Sequence, residues 1–146
     1  MNNKLALTAA ALALAVLPGI SQARDTTLML PFQPVVQQML NEKKLDGSVK
    51  FYLKGTGPSA QVISPNAVTN KKTNAFNKTD EEACAWALQS ALLTLQDAAK
   101  KAGANAVVNI VSYYKRNENA NNANYECHAG AFIGGVALKG DLAKTK

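Results

Sequence analysis

The sequence predicts an α+β fold, in which a small mixed or antiparallel sheet has two helices packed on one face. Residues 80–102 carry apolar side chains three and four positions apart, which is the spacing of an amphipathic helix. Residues 106–114 are rich in β-branched and aromatic side chains, which are typical of a strand. All elements together give the order strand, helix, strand, strand, helix, strand, strand, and this order favours an α+β arrangement.

The first half of the chain contains shorter elements with weaker patterns. Residues 26–30 form a β-like run, and apolar residues at helical spacing predict a helix over residues 34–44. Residues 48–53 alternate as a strand does, and residues 61–64 are a candidate partner strand. This half therefore supplies the first strand–helix–strand–strand unit of the fold.

A polar stretch separates this unit from the long helix. Residues 66–79 are poor in large apolar side chains and predict a long loop, a kind of segment that is often functional or mobile. Thr79 and Glu82 then form a capping box at the start of the helix. Gly103 is the expected stop at the other end.

The last part of the chain predicts a pair of strands joined by a loop. Residues 117–124 hold five asparagines and predict an exposed hairpin loop. The next strand covers residues 125–138 and contains three glycines, which indicate a bulge or the close approach of another backbone or a helix. The three are Gly130, Gly134 and Gly135. The polar tail from Lys139 onward is expected to fray.

Residues 1–23 predict an export signal. Lys4 gives a positive start, residues 5–17 are almost wholly apolar, and small residues precede a cleavage point after Ala23. The apolar run is shorter than the roughly 20 residues that span a bilayer. No cysteine stands directly at the cleavage point, so no lipid or membrane anchor is expected. The prediction is a single domain over residues 24–146, located in the periplasm or secreted.

The chain is moderately basic. Its 16 Lys and Arg residues exceed its 10 Asp and Glu residues, for a net charge of +6. Such a charge attracts anionic partners, but the lysines are scattered in ones and twos and no arginine-rich stripe is present. The sequence therefore predicts no nucleic-acid partner, and leaves an unidentified envelope protein or an anionic ligand as the partner.

Two cysteines, Cys84 and Cys127, predict one disulfide in an oxidising compartment. Closing a loop of roughly 44 residues stabilises a fold by about 4 kcal/mol in the chain-entropy model. The alternative is a thiol-redox or metal protein that uses both cysteines and His128. A metal site would also need a nearby carboxylate, such as Glu126 or Glu82.

No set of residues predicts catalysis, and no cofactor is expected. His128 is the only histidine, and no serine lies in the strand–turn–helix context of a hydrolase nucleophile. The segment 55–58 lacks the lysine and the helix of a phosphate-binding loop. The sequence therefore predicts a protein that is not an enzyme.

Basic and aromatic residues in the predicted loops and strands could form a ligand or partner surface. The tyrosines can equally be cross-strand pairs that only stabilise the sheet, so both interpretations stay open. The candidate surface residues are Lys71, Lys72, Tyr113, Lys115, Arg116 and His128.

The second half of the chain resembles known small exported proteins. The run Gly103–Val108, then Cys127, then Gly135–Leu138 resembles the envelope-stress sensor lipoprotein RcsF and the related YbjQ-type domains. The runs 105–115 and 125–130 resemble a family of small exported bacterial proteins often labelled "excinuclease ATPase subunit". That label conflicts with the chain, which has no nucleotide-binding loop and no cysteine quartet for zinc.

The RcsF resemblance implies an RcsF-like fold with one disulfide. Cys127 matches one of its disulfide cysteines and Cys84 matches the partner loosely, whereas Ile133 stands where RcsF has a further cysteine. The lipid-anchor cysteine is also absent, so tethering to the outer membrane and the associated signalling do not carry over. The sequence thus predicts an exported, non-catalytic periplasmic module that binds a ligand or senses the state of the envelope.

Overall fold

The computed structural model describes residues 24–146, so the predicted signal segment 1–23 lies outside the described residues. The α+β class with two helices is confirmed. In chain order the elements are β1 (Thr26–Pro31), α1 (Gln33–Asn41), β2 (Lys50–Leu53), β3 (Ala60–Asn74), α2 (Asp80–Lys101), β4 (Ala106–Ser112), a short 3-10 turn (Tyr114–Arg116), β5 (Asn124–Ala129) and β6 (Ile133–Thr145).

The six strands form one sheet built around β6. Along one edge of β6, β5 and then β4 pair with it antiparallel, while β3 pairs antiparallel along the other edge. β1 extends the sheet beside β5, and β2 lies parallel to β4, so the sheet is mixed. Because β6 pairs with three strands, its register with each of them determines which residues of β3, β4 and β5 lie near one another.

Both helices pack on one face of the sheet and share a single hydrophobic core. The buried stripes of α1 and α2 join one cluster with residues of β4, β5 and β6. Full burial stabilises the fold by roughly 1.5–3 kcal/mol for each large apolar side chain. The largest fully buried side chains include Phe32, Met39, Leu88, Leu92, Leu95, Ile110, Tyr125 and Leu138.

Helix α2 begins and ends as predicted. The Thr79 hydroxyl accepts a hydrogen bond from the backbone N–H of Glu82 at 3.1 Å, which satisfies one of the free donors of the first turn. Gly103 follows the helix with a positive φ of 72°, a conformation that glycine adopts without steric cost. Within residues 24–146, neither helix has the length and apolar composition needed to cross a membrane.

The predicted disulfide between Cys84 and Cys127 is confirmed. It joins α2 to β5 across a sequence separation of 43, with the two Cα atoms 5.8 Å apart. Both cysteines are fully buried. The bond therefore lies inside the core and ties the long helix to the sheet.

The prediction of a long loop at residues 66–79 is wrong, because most of this stretch belongs to β3. The strand pairs with β6 as far as Asn74, which lies opposite Ile133. An edge strand tolerates a polar sequence, since one of its edges and part of its surface stay in water. Pro65 fits because the pairing shifts register between Ser64 and Ala67.

The predictions for the final strand need two corrections. Residues 125–138 form two strands, β5 and β6, separated by a turn at residues 130–132. The polar tail is not frayed, because β6 continues to Thr145 between β3 and β4. The backbone N–H of Thr145 also donates to the Asn105 side chain at 2.8 Å.

Candidate functional site

A row of paired residues crosses four strands on the face of the sheet that α2 does not cover. Lys72 of β3 lies opposite Gly135 of β6, Gly135 lies opposite His128 of β5, and His128 lies opposite Thr27 of β1. The neighbouring Gly134 faces α2, since a Cβ there would come within 3.0 Å of Ala83. Successive residues of a strand point to opposite faces, so the row faces away from α2.

His128 has a carboxylate at each ring nitrogen. Its Nδ1 is 3.1 Å from Asp25 Oδ1, and its Nε2 is 2.5 Å from Glu126 Oε2. The imidazole is only 13% exposed. An imidazolium donates a hydrogen bond from each nitrogen, whereas a neutral ring donates only one. Neither nitrogen is directed at open space.

Tyr114 covers one face of the His128 ring. The two rings stack with their centroids 3.4 Å apart and their planes 13° from parallel. Lys115 and Arg116, which follow Tyr114, both have positive φ angles, of 50° and 63°. Positive φ is uncommon for residues other than glycine. The sharp turn that results places Tyr114 over the sheet.

Further hydrogen bonds hold the segment after β4 against β5. Glu126 Oε1 accepts from Asn119 Nδ2 at 2.8 Å, while the backbone N–H of Glu126 donates to the Ser112 hydroxyl at 2.9 Å. Ser112 and Asn119 also exchange backbone hydrogen bonds. The wall that carries Tyr114 is therefore anchored at both of its ends.

Arg24 closes another side of the site. Its guanidinium makes two hydrogen bonds to the Asp80 carboxylate, at 2.7 and 2.9 Å, and one to the carbonyl oxygen of Gly130 at 2.9 Å. These hydrogen bonds and the positive charge hold the pKa of Asp80 below its usual value. The pairing links the N-terminal residue of the described chain to α2 and to the β5–β6 turn.

These residues surround an open cleft, called here the His128 cleft, with a volume of about 660 Å³. Apolar side chains form the side nearest the β5–β6 turn, where Phe132 is 69% exposed and Ile133 is 55% exposed. Gly135 contributes no side chain and so leaves room in the middle. Small-molecule sites in proteins have volumes of about 300–1,000 Å³, and the cleft falls within that range.

Lys72 is the cation in the cleft that is available to a ligand. Arg24 is paired with Asp80, and Asp25 is paired with His128. Lys72 lines the cleft, is exposed, and forms no salt bridge with another described residue. An anion that enters the cleft can therefore pair with the Lys72 ammonium, which lies on the opposite side of Gly135 from His128 and the two carboxylates that contact it.

The structure brings together only part of the predicted surface. Lys72 and His128 line the cleft, and Lys115 lies with its Nζ 5.3 Å from the Tyr114 ring centre. Tyr113 instead lies beneath Lys139, whose Nζ is 4.7 Å from its ring centre. Two further predicted residues, Lys71 and Arg116, are not among the residues that line the cleft.

Sequence reasoning missed several residues of the cleft. Asp25 and Arg24 come from the start of the chain, and only the pairing of β1 with β5 brings them to His128. Phe132 and Ile133 fell inside the single strand predicted over residues 125–138, and no local pattern marked them as exposed at the edge of a cleft. Tyr114 is one of the tyrosines for which a ligand surface and cross-strand pairing both stayed open, but it was not among the candidate surface residues.

The cysteines do not join this site. Both sulfur atoms are bonded to each other in the disulfide. His128 also points to the face of β5 opposite that of Cys127. Asp25 and Glu126 lie at opposite ends of the imidazole. Over residues 24–146, no three His, Cys, Asp or Glu side chains are arranged to hold a metal ion.

A second, smaller depression of about 270 Å³ lies around Asp141 of β6. The Asp141 carboxylate accepts from the backbone N–H of Asn66 at 2.9 Å and from Asn109 Nδ2 at 3.0 Å. Both asparagines lie where β3 and β4 shift register against β6. Asp141 thus stabilises two irregular strand segments, and its carboxylate oxygens are engaged.

No protein-family model, curated protein or solved structure matches this chain. The resemblance to RcsF and to the small exported family therefore stays a prediction, and the geometry of the His128 cleft carries the functional argument.

Proposed function

We propose that this protein is an exported, non-catalytic binding module, stabilised by one disulfide, that binds an anionic ligand in the His128 cleft. The proposal covers capture of the ligand as well as sensing of its presence in the periplasm. The observation that carries it is Lys72, which lines an open cleft of about 660 Å³ and has no salt-bridge partner among residues 24–146. A cation already positioned beside a preformed concavity is a common feature of small-molecule sites.

The surroundings of His128 favour binding over catalysis. A general base needs a free nitrogen within about 3 Å of the proton that it removes. Both nitrogens of His128 instead contact carboxylates, and Tyr114 covers one ring face. We therefore assign His128 a positioning role: it holds Asp25, Glu126 and Tyr114 together as one wall of the cleft.

The buried disulfide disfavours the thiol-redox alternative. Thiol–disulfide exchange requires a thiolate to reach one of the two sulfurs. Cys84 and Cys127 are both fully buried between α2 and the sheet. A structural bond suits this position, and a metal site would require both sulfurs to be free thiolates.

A titration followed by amide chemical shifts tests the proposal. The probes are inorganic phosphate and butyrate, added to the ¹⁵N-labelled protein comprising residues 24–146. We expect shifts concentrated at Lys72, His128 and Gly135, with affinities in the millimolar range that are typical of a single exposed charge.

Two lysine variants provide the control. Lys72→Gln should remove most of the response, while Lys71→Gln should keep it, because Lys71 lies next in the strand but does not line the cleft. If neither phosphate, butyrate nor a longer carboxylate shifts the cleft residues, the proposed function is wrong.

A further inference from the structure

We infer that the ligand of the His128 cleft is an anionic amphiphile: a molecule with one anionic head group and an acyl or similar apolar tail. This inference rests on the proposed function and specifies its ligand. It follows from the apolar side of the cleft, which a small hydrophilic anion would leave uncovered.

Two exposed apolar side chains lie along one side of the cleft. Phe132 and Ile133 are 69% and 55% exposed, and both line the cleft. Phe132 is anchored by its backbone, since its carbonyl oxygen accepts from the N–H of Ala75 at 2.8 Å. Two large apolar side chains held at the edge of a concavity form a surface that an apolar ligand group would remove from water.

The positive charge and the apolar surface lie apart in the cleft. Lys72 lies opposite Gly135, and Ile133 precedes Gly135 by two positions on the same face of β6. Strand spacings of about 4.8 Å across and 3.4 Å along place the Cα atoms of Lys72 and Ile133 about 8 Å apart. A ligand with an anionic group at one end and an apolar group at the other end matches this separation.

The charged groups around the cleft favour an anionic head. Arg24 pairs with Asp80, and the carboxylates of Asp25 and Glu126 both contact His128. Lys72 is the charged lining residue that has no salt-bridge partner among residues 24–146. An anionic head is attracted to it, whereas a cationic head of the same size is repelled.

Calorimetric titration with matched amphiphiles tests this inference. Dodecanoate, kept below its micelle concentration, is compared with butyrate, which has the same head without the tail, and with dodecyltrimethylammonium, which has the same tail and the opposite charge. We expect dodecanoate to bind at least about tenfold more tightly than either, because each methylene removed from water contributes up to about fourfold in affinity. Dodecyl phosphate, run beside dodecanoate, shows whether a fatty-acid or a lipid-phosphate head fits better, and tight binding of either supports the inference.

Two pairs of variants locate the contacts. Lys72→Gln and Phe132→Ala should each weaken dodecanoate binding about three- to tenfold. Lys71→Gln and Trp86→Ala should leave it unchanged, because Trp86 is an exposed aromatic residue on α2, across the sheet from the cleft. Each of these side chains is at least partly exposed, so the variants are expected to fold, and circular dichroism checks this.

The binding results distinguish failure of the inferred amphiphilic ligand from failure of the proposed anion-binding function. If butyrate binds as tightly as dodecanoate, the inference is wrong while the anion-binding function stands. If the cationic amphiphile binds as tightly as dodecanoate, the inference is wrong because the charge of the head group is not recognised, and the phosphate and butyrate titration then decides whether the anion-binding function stands. If Trp86→Ala weakens binding as much as Phe132→Ala, the inferred position of the tail is wrong. If none of the anions binds, the proposed function and the inference fail together.

Discussion

At the scale of single residues, His128 shows how one side chain can organise a binding surface without reacting. One ring nitrogen contacts the Asp25 carboxylate, the other contacts the Glu126 carboxylate, and the ring stacks against Tyr114. These three groups come from distant parts of the chain. The histidine therefore positions a wall of the cleft and leaves Lys72, on the far side of Gly135, as the group that meets the ligand.

The two adjacent glycines of β6 have different roles, and substitution should separate them. A Cβ at position 134 would lie 3.0 Å from that of Ala83 in α2, whereas one at position 135 finds its nearest neighbours at 3.7 Å. We expect Gly134→Ala to lower the free energy of unfolding by about 1–3 kcal/mol, the range for overpacking in a core. Gly135→Ala should change it by no more than about 0.5 kcal/mol.

Urea denaturation of the two variants measures this difference. Equal losses of stability would show that α2 does not approach β6 as closely at position 134 as described. The same comparison tests the orientation of the sheet, because it shows which face of β6 the helix covers.

At the scale of elements, local signals predicted α2 well and the strands less well. Residues within and next to the helix specify it: the Thr79 cap, the apolar stripe and the stop at Gly103. β3 was mistaken for a loop over most of its length because its polar sequence becomes a strand only through pairing with β6. Such pairing is non-local, and one segment read alone does not reveal it.

The same distinction explains how much of the site could be predicted. Lys72 and His128 were identified by residue type, as a cation and as the sole histidine. Their juxtaposition depends on the register that places both opposite Gly135. Asp25 depends in the same way on the pairing of β1 with β5, so composition and periodicity could not place it in the cleft.

One contact between elements should make stability depend on pH. Hydrogen bonds from the Lys100 ammonium and from Ser48 hold the pKa of Asp46 well below its usual range. The folded-state pKa is thus lower than that of the unfolded chain, which is about 3.9. The stabilisation is present at neutral pH and is lost as the pH falls through the folded-state pKa.

Urea unfolding of the wild type and of Asp46→Asn, at about pH 7, 4 and 2.5, checks this sign. The wild type should be the more stable at neutral pH, and the difference should shrink toward acid. The difference should be small, because the pair between Asp46 and Lys100 is exposed. A difference that stays constant with pH would mean that the contact does not control the ionisation of Asp46.

At the scale of the whole molecule, one core, one disulfide and a pairing at the N-terminal end of the described chain hold the sheet and helices together. The disulfide joins α2 to β5, and Arg24 joins the start of β1 to the first residue of α2 and to the β5–β6 turn. Both connections lie next to strands that form the His128 cleft. The cleft is therefore built on the firmly connected part of the fold.

Intact mass tests the proposals about export together with the disulfide. Protein recovered from the periplasm after expression in a bacterial host should have the mass of a chain that begins at Arg24, less two hydrogens. It should not react with an alkylating reagent in denaturant. Two alkylated thiols would remove the structural disulfide and restore the thiol-redox alternative, and a mass that includes residues 1–23 would contradict export by cleavage after Ala23.

The measurement that tests the central claim most directly is the position of bound dodecanoate, from intermolecular nuclear Overhauser effects. The account predicts contacts from the terminal methyl and nearby methylenes to the side chains of Phe132 and Ile133. It also predicts contacts from the carbon next to the carboxylate to Lys72. Contacts to Trp86 and Leu93, the exposed apolar residues of α2, would contradict the claim that the His128 cleft is the binding site.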